Sequence, residues 1–260
     1  MAAVRPVDTG GAVRKGSAPD RETNPDVRIR QRGPLAALCF QVAAIVRLEI
    51  RTELRGLPIL SAMASLGLLT VLVLGFVFEA AGAADGTRAS GVLWAALLLA
   101  GAAGLERQFG SADARAMTGF LLSAPVSRTA LFLGRLWVWS LLLAVAGVLA
   151  LIGVIVLFDA ALWKPGILGV LFLGCIGFAA LGTTVVAMMS GMRQGQGLVA
   201  VIVLPLAIPL LLAGTGACNA LTQEASGQTY GAWILMVILF DLVAVAVGIL
   251  LANLVWQDWR

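Results

Sequence analysis

"ALFLGRLWVWSLLLAVAGVLALIGVIVLF", Ala130 to Phe158, is apolar almost throughout, and Arg135 near its start is its sole charged side chain. A helix needs only ~20 apolar residues to cross the hydrocarbon of a bilayer. This run exceeds that length, so it predicts a transmembrane helix. Five more runs of the same character flank it, at about 59–81, 91–105, 167–190, 198–217 and 231–256. The run at 91–105 is short for a crossing and is expected to continue into the polar stretch "LERQFGSADARAMTGFLLSAP", Leu105 to Pro125. The chain thus reads as an all-α integral membrane protein with six transmembrane helices in a domain spanning residues 58–257.

Composition agrees with that class. Of 260 residues, 60% are hydrophobic and 12% charged, whereas a soluble domain is about half apolar and a quarter charged. The three cysteines, Cys39, Cys175 and Cys218, are scattered without CxxC spacing and predict neither a zinc site nor a disulfide framework. The chain contains no histidine, which removes the commonest metal ligand and general base. No Ser/His/Asp set or paired-carboxylate site can be assembled. The expectation is a non-catalytic chain with no metal site, no tightly bound cofactor and no nucleic-acid partner.

Residues 1–34 mix Arg, Asp, Pro, Gly and Thr with almost no large apolar side chains, and read as a disordered cytoplasmic tail without a signal-peptide core. Residues 35–57 form the next unit. Cys39, Ala43, Val46, Ile50, Leu54 and Leu57 recur at helical spacing on one side. Arg47, Arg51 and Arg55 form a stripe on another, with Glu49 and Glu53 close by. So many charges cannot cross a bilayer. The pattern predicts an amphipathic helix lying in the interface, its arginines near anionic lipid headgroups, and Pro58 marks the turn into the first span.

The distribution of Lys and Arg orients the bundle. The tail and interfacial helix together hold ten; Arg107, Arg115 and Arg128 follow the second span, and Arg193 follows the fourth. The other side has only Arg88 and Lys164. Both termini are therefore expected in the cytoplasm, as is the polar stretch at 105–128. That stretch carries no nucleotide-binding motif. The glycine spacing of "GFAALGTT", Gly177 to Thr184, imitates a P-loop, but Thr183 stands where the lysine belongs and the segment lies within a span, so it reads as small residues for helix packing. "GMRQGQG", Gly191 to Gly197, reads as a tight turn. Pro205 and Pro209, four apart within the fifth run, each remove an intrahelical hydrogen bond and predict a doubled kink. Asp241 lies deep in the sixth run, where a carboxylate is a functional candidate by default, with no basic partner evident at that depth. Trp137, Trp139, Trp163, Trp233, Trp256 and Trp259 cluster near run ends and read as an interfacial belt.

Four stretches make the chain resemble the haem exporter protein B (CcmB) family, the permease subunit of the cytochrome c maturation ABC transporter. They are "RLEIRTELR" (47–55), "GVLWAALLLAGAAGLERQF" (91–109), "LLSAPVSRTALFLGR" (121–135) and "GMRQGQGLVAVIVLPLAIPLLL" (191–212), in register through about residues 40–256. The resemblance implies an ABC-2-like permease in a bacterial inner (cytoplasmic) membrane, with Arg47, Glu49, Arg51 and Arg55 on an N-terminal elbow helix. It implies a homodimer paired with two copies of a CcmA-like ATPase subunit that holds the ATP, docking beside CcmC and CcmD. The complex would handle haem and release the haem-loaded chaperone CcmE. Glu106, Arg107, Phe109, Asp113 and Pro125 would couple to the ATPase, and Pro205 and Pro209 would form a gating element. The segment "GSADARAMTG" (110–119) departs from the family, with Arg115 and Ala116 where an acidic turn belongs. The alternatives are a permease of another ABC-2 exporter of lipid or polysaccharide, a non-transporting scaffold, or a carrier built on Asp241.

Overall fold

The computed structural model describes residues 34–82, 86–110, 127–160, 162–189, 198–223 and 227–255. Among them, every regular element is helical: α1 (Pro34–Glu53), α2 (Pro58–Ala80), α3 (Gly86–Gly110), α4 (Arg128–Phe158), α5 (Pro165–Met189), α6 (Leu198–Leu206), α7 (Ile208–Thr222) and α8 (Gly227–Val255). Five of these, α2, α3, α4, α5 and α8, are long and apolar enough to cross a membrane. The pair α6–α7 makes a sixth crossing if it is taken as one span, bent by 46°. The tail falls outside the described residues, as does the turn at 191–197.

The second crossing is longer than the apolar run alone predicts. Helix α3 starts at Gly86 and reaches Gly110, carrying Glu106 and Arg107 on its last turns. The fifth crossing breaks between its two prolines: α6 ends at Leu206 and α7 begins at Ile208. The Ala207 amide still donates to the Val203 carbonyl at 2.9 Å, and the Leu211 amide to the Ala207 carbonyl at 2.9 Å. Part of the helical bonding therefore continues through the break. Helix α7 then runs past residue 217 to Thr222.

Helix α5 is the centre of the bundle, with 78% of its most apolar window buried, against 17% for α8. Small residues give α5 this position. The Trp94 ring of α3 fills the space left by Gly174 of α5 and Gly214 of α7, where any Cβ would collide with it. Such close approach by small residues is how helices associate where lipid is as apolar as leucine. Two hydroxyls on α5 bond back to their own helix: Thr183 donates to Ala179 O at 2.8 Å and Thr184 to Ala180 O at 2.7 Å.

Neighbouring crossings alternate in direction. Met63 near the start of α2 meets Gly104 near the end of α3, Leu105 meets Gly182 near the end of α5, and Phe132 near the start of α4 meets Gly248 near the end of α8. At the opposite end the Phe78 and Phe158 rings lie 6.4 Å apart, and the Lys164 ammonium donates to Leu221 O at 2.8 Å. With α6–α7 counted as one crossing, α1 and the end of α8 lie at the same end of the bundle.

Two expectations from sequence change here. Trp139 is not part of a belt; it is 1% exposed and lies in the core, while Trp137 is 48% exposed. Two positions apart, the side chains leave a helix on nearly opposite sides. The apolar side assigned to α1 is packed only in part: Val46 and Ile50 lie against the core. Cys39 and Ala43 are exposed, Leu54 and Leu57 follow the helix end at Glu53, and the face turned inward carries Ile45, Glu49 and Glu53. Both carboxylates find partners on other helices, which removes the cost of turning them inward.

Candidate coupling site

The charged end of the bundle is built on α1, which lies across the start of α4. Ile45 packs on Gly134, and on either side of that contact stands a polar tie. Gln41 Oε1 accepts from the Ser127 hydroxyl at 2.9 Å and from the Ser127 amide at 3.3 Å. Ser127 is the N-cap of α4, and its own hydroxyl oxygen accepts from the Ala130 amide at 3.3 Å. One turn past Ile45, Glu49 Oε1 accepts from Arg135 Nε at 3.1 Å. The Arg135 and Glu49 side chains are 9% and 14% exposed, so Arg135 is balanced within the protein and not left in hydrocarbon. Burial pushes the Glu49 carboxyl up from its usual range, and the charge and hydrogen bond of Arg135 pull part of that back.

Glu53, 7% exposed, makes the third tie. The chain reverses from α1 into α2 through Leu57, whose φ of 50° is in the left-handed region that a leucine directly before proline adopts only under constraint. Glu53 Oε1 accepts from the amides of Ile59 at 2.7 Å and Leu60 at 2.9 Å. Pro58 occupies the first position of α2 and has no amide to satisfy. A carboxylate at the positive end of the helix therefore satisfies two of the amides that the α2 start leaves open. Sequence reading placed Glu53 merely beside the arginine stripe. Its capping role had a signal in principle, an acid a few residues before Leu-Pro, but nothing local shows that the chain folds back that tightly.

Arg47 and Arg51 are exposed on α1, Arg55 is exposed in the turn that follows it, and Glu106 and Arg107 are exposed on the last turns of α3. Phe109 belongs to the last turn of α3, while Asp113 and Pro125 lie outside the described residues. Apart from Arg128 at the start of α4, the described charged residues of this end fall into two sets. Glu49, Glu53 and Arg135 hold helices together, whereas Arg47, Arg51, Arg55, Glu106 and Arg107 face outward.

Pro205, Pro209 and Asp241 stand away from this end. The prolines flank the bend at Ala207, which is 0% exposed. Asp241 of α8 presses its carboxyl into the space above Gly177 of α5, beside Leu210 of α7. Its Oδ1 is buried without a hydrogen-bond partner. Between α3 and α7, the Ser90 hydroxyl donates to Asn219 Oδ1, and the Trp94 indole donates to Cys218 Sγ at 3.4 Å. Among the described residues no group of three or more His, Cys, Asp or Glu could hold a metal ion.

Comparison with curated proteins gives no match. The family model described as CcmB protein matches residues 40–253, from α1 through nearly all of α8. That stretch contains every described crossing and covers far more than half of the chain, so this multi-pass membrane protein belongs to the CcmB family.

Proposed function

We propose that the chain is the membrane permease subunit of an ABC-type haem exporter serving c-type cytochrome maturation, and that it converts movement of a separate CcmA-like ATPase into a change at the opposite membrane face. The observation that carries this reading is the family match over residues 40–253, since the CcmB family supplies the permease component of that exporter. An ATPase partner follows in general terms from the ABC class.

The finer parts rest on the charged end. Arg47, Arg51, Arg55, Arg107, Arg128 and Arg135 gather there, against Arg88 and Lys164 at the other, which favours that end as cytoplasmic. On this assignment α1 is the elbow helix and both termini are cytoplasmic. Glu106, Arg107 and Phe109 then lead into a coupling segment that contains Asp113 and Pro125, within reach of the ATPase. The bend at Pro205 and Pro209 is the element that yields when the ATPase closes. Two copies of the chain pair with two ATPase subunits beside CcmC and CcmD in a bacterial inner membrane, and the cycle frees haem-loaded CcmE. The ATP stays on the partner, and no step of catalysis is assigned to this chain.

The test is purification in mild detergent with identification of co-purifying subunits, followed by Glu106→Ala and Phe109→Ala in the same complex. A CcmA-like ATPase together with CcmC is expected. The variants should keep folded spans but lose cytochrome c maturation or ATPase binding. Normal assembly and maturation in both variants would remove the coupling role. Co-purification with lipid- or polysaccharide-export partners would move the chain to another ABC-2 system.

A further inference from the structure

The face of α1 that the sequence marks as apolar, whose Cys39 and Ala43 stay exposed while Val46 packs on the core, forms one wall of a groove. The groove has a volume of about 410 Å³ and is lined by Cys39, Ala43 and Val46 of α1, Leu133 and Trp137 of α4, and Phe172 of α5, among others. Among the described residues that line it, none is charged. Trp137 and Phe172 are 48% and 39% exposed, so the groove opens sideways on the bundle. Water entering it would find few partners, since an ordered water needs two to four polar groups.

The groove is held open by contacts on the other side of α1. Ile45 on Gly134, the Glu49–Arg135 pair and the Gln41–Ser127 bonds fix the helix against α4 along one flank. The other flank therefore stands off as a fixed overhang. Along that overhang Arg47 follows Ala43 by one turn and Arg51 follows by another. Both are exposed, and neither forms an ion pair with another described residue.

An apolar trough with two exposed cations one and two turns along α1 from its Ala43 wall matches one chemistry. We propose that this groove is a binding site for an anionic glycerophospholipid, with an acyl chain lying between α1, Trp137 and Phe172 and the headgroup phosphate held by Arg47 and Arg51. The arginines supply the preference for negative charge, since cations at a membrane surface attract anionic headgroups. The trough supplies a fixed place for one chain, which a smooth helix surface in lipid does not. The bound lipid fills the space beneath α1 and completes its packing against α4 and α5.

The full chain in phosphatidylcholine nanodiscs provides the test, with phosphatidylglycerol as the minor component and bromine on the acyl chains of one lipid at a time. Quenching of the emission that Trp137→Phe removes reports the occupant of the groove. Brominated phosphatidylglycerol is expected to quench at roughly tenfold lower mole fraction than brominated phosphatidylcholine. Replacing both arginines (Arg47→Gln with Arg51→Gln) should abolish that preference while leaving quenching by either lipid at high fraction. Ala43→Phe should weaken quenching by both. The arginine pair is exposed and outside the helix contacts, so that arm stands even where Ala43→Phe disturbs folding. Equal quenching by the two lipids in the wild type would overturn the proposal. So would an unchanged preference in the arginine variant, or protection from both lipids by a second copy or another protein seated on the groove.

Discussion

Glu49 and Glu53 at the charged end, and Asp241 in α8, are three carboxylates turned away from solvent with different outcomes. Glu53 accepts from two amides and Glu49 from a guanidinium, whereas Asp241 Oδ1 has no partner. Burial of a carboxyl is costly in every case. At the charged end that cost is offset by hydrogen bonds that also fix how α1 meets α2 and α4. At Asp241 nothing of the kind offsets it; a buried acceptor without a partner costs about 1–3 kcal/mol. The first two acids therefore explain themselves through the fold. The third is not explained by packing, which keeps it a candidate for a role outside stability.

The largest effect is expected from Glu49→Ala. It strands Arg135 inside the protein, and breaking a buried pair from one side costs about 3 kcal/mol, at the low end for such pairs because some solvent reaches Glu49. Thermal unfolding in detergent should show this loss, and adding Arg135→Leu should recover part of it. A double variant no better than Glu49→Ala would mean that the pair does not hold α1 to α4.

Glu53→Ala should follow, at about 1–2 kcal/mol, as for removal of a helix cap. Hydrogen exchange at the Ile59 and Leu60 amides should rise most, and Glu53→Gln should restore part of the protection. Unchanged exchange there would show that the backbone turn alone sets the start of α2.

The smallest stability change belongs to Asp241→Asn. With no partner to lose, the variant should unfold within about 1 kcal/mol of the wild type. Cytochrome c maturation measured in the same variant sharpens the contrast: a functional loss with stability intact assigns Asp241 to the work of the protein. A stability loss as large as that of Glu53→Ala would instead place all three acids in one class.

The crossings were legible because lipid imposes a length and a composition on every span, and Ala130–Phe158 meets both without ambiguity. The doubled proline marked the place of the break in the fifth crossing, although not that α7 would continue to Thr222. The orientation of α1 was legible only in Val46 and Ile50, which pack inward as their spacing predicts. Its inward face carries two acids whose partners come from other elements, and Arg135 stands 86 residues from Glu49. Helical periodicity ranks side chains by hydropathy and cannot see a partner that folding brings from elsewhere. For the same reason the sequence marked Arg47 and Arg51 as a stripe but not the groove beside them. Glu106 and Arg107 were found as an exposed pair on the last turns of α3, while the family resemblance alone pointed to Asp113 and Pro125.

Trp94 gives the bend an optical signature. Its indole is 2% exposed, fitted between Gly174 of α5 and Gly214 of α7, with its N–H on the Cys218 sulfur. A thiol beside an indole changes its emission, and two of the three groups around this ring belong to α7. Straightening α6 against α7 would draw Gly214 and Cys218 off the ring while Gly174 stayed in place. The difference spectrum between the wild type and Trp94→Phe would then follow, in real time and without an attached label, whether the fifth crossing bends as the protein works.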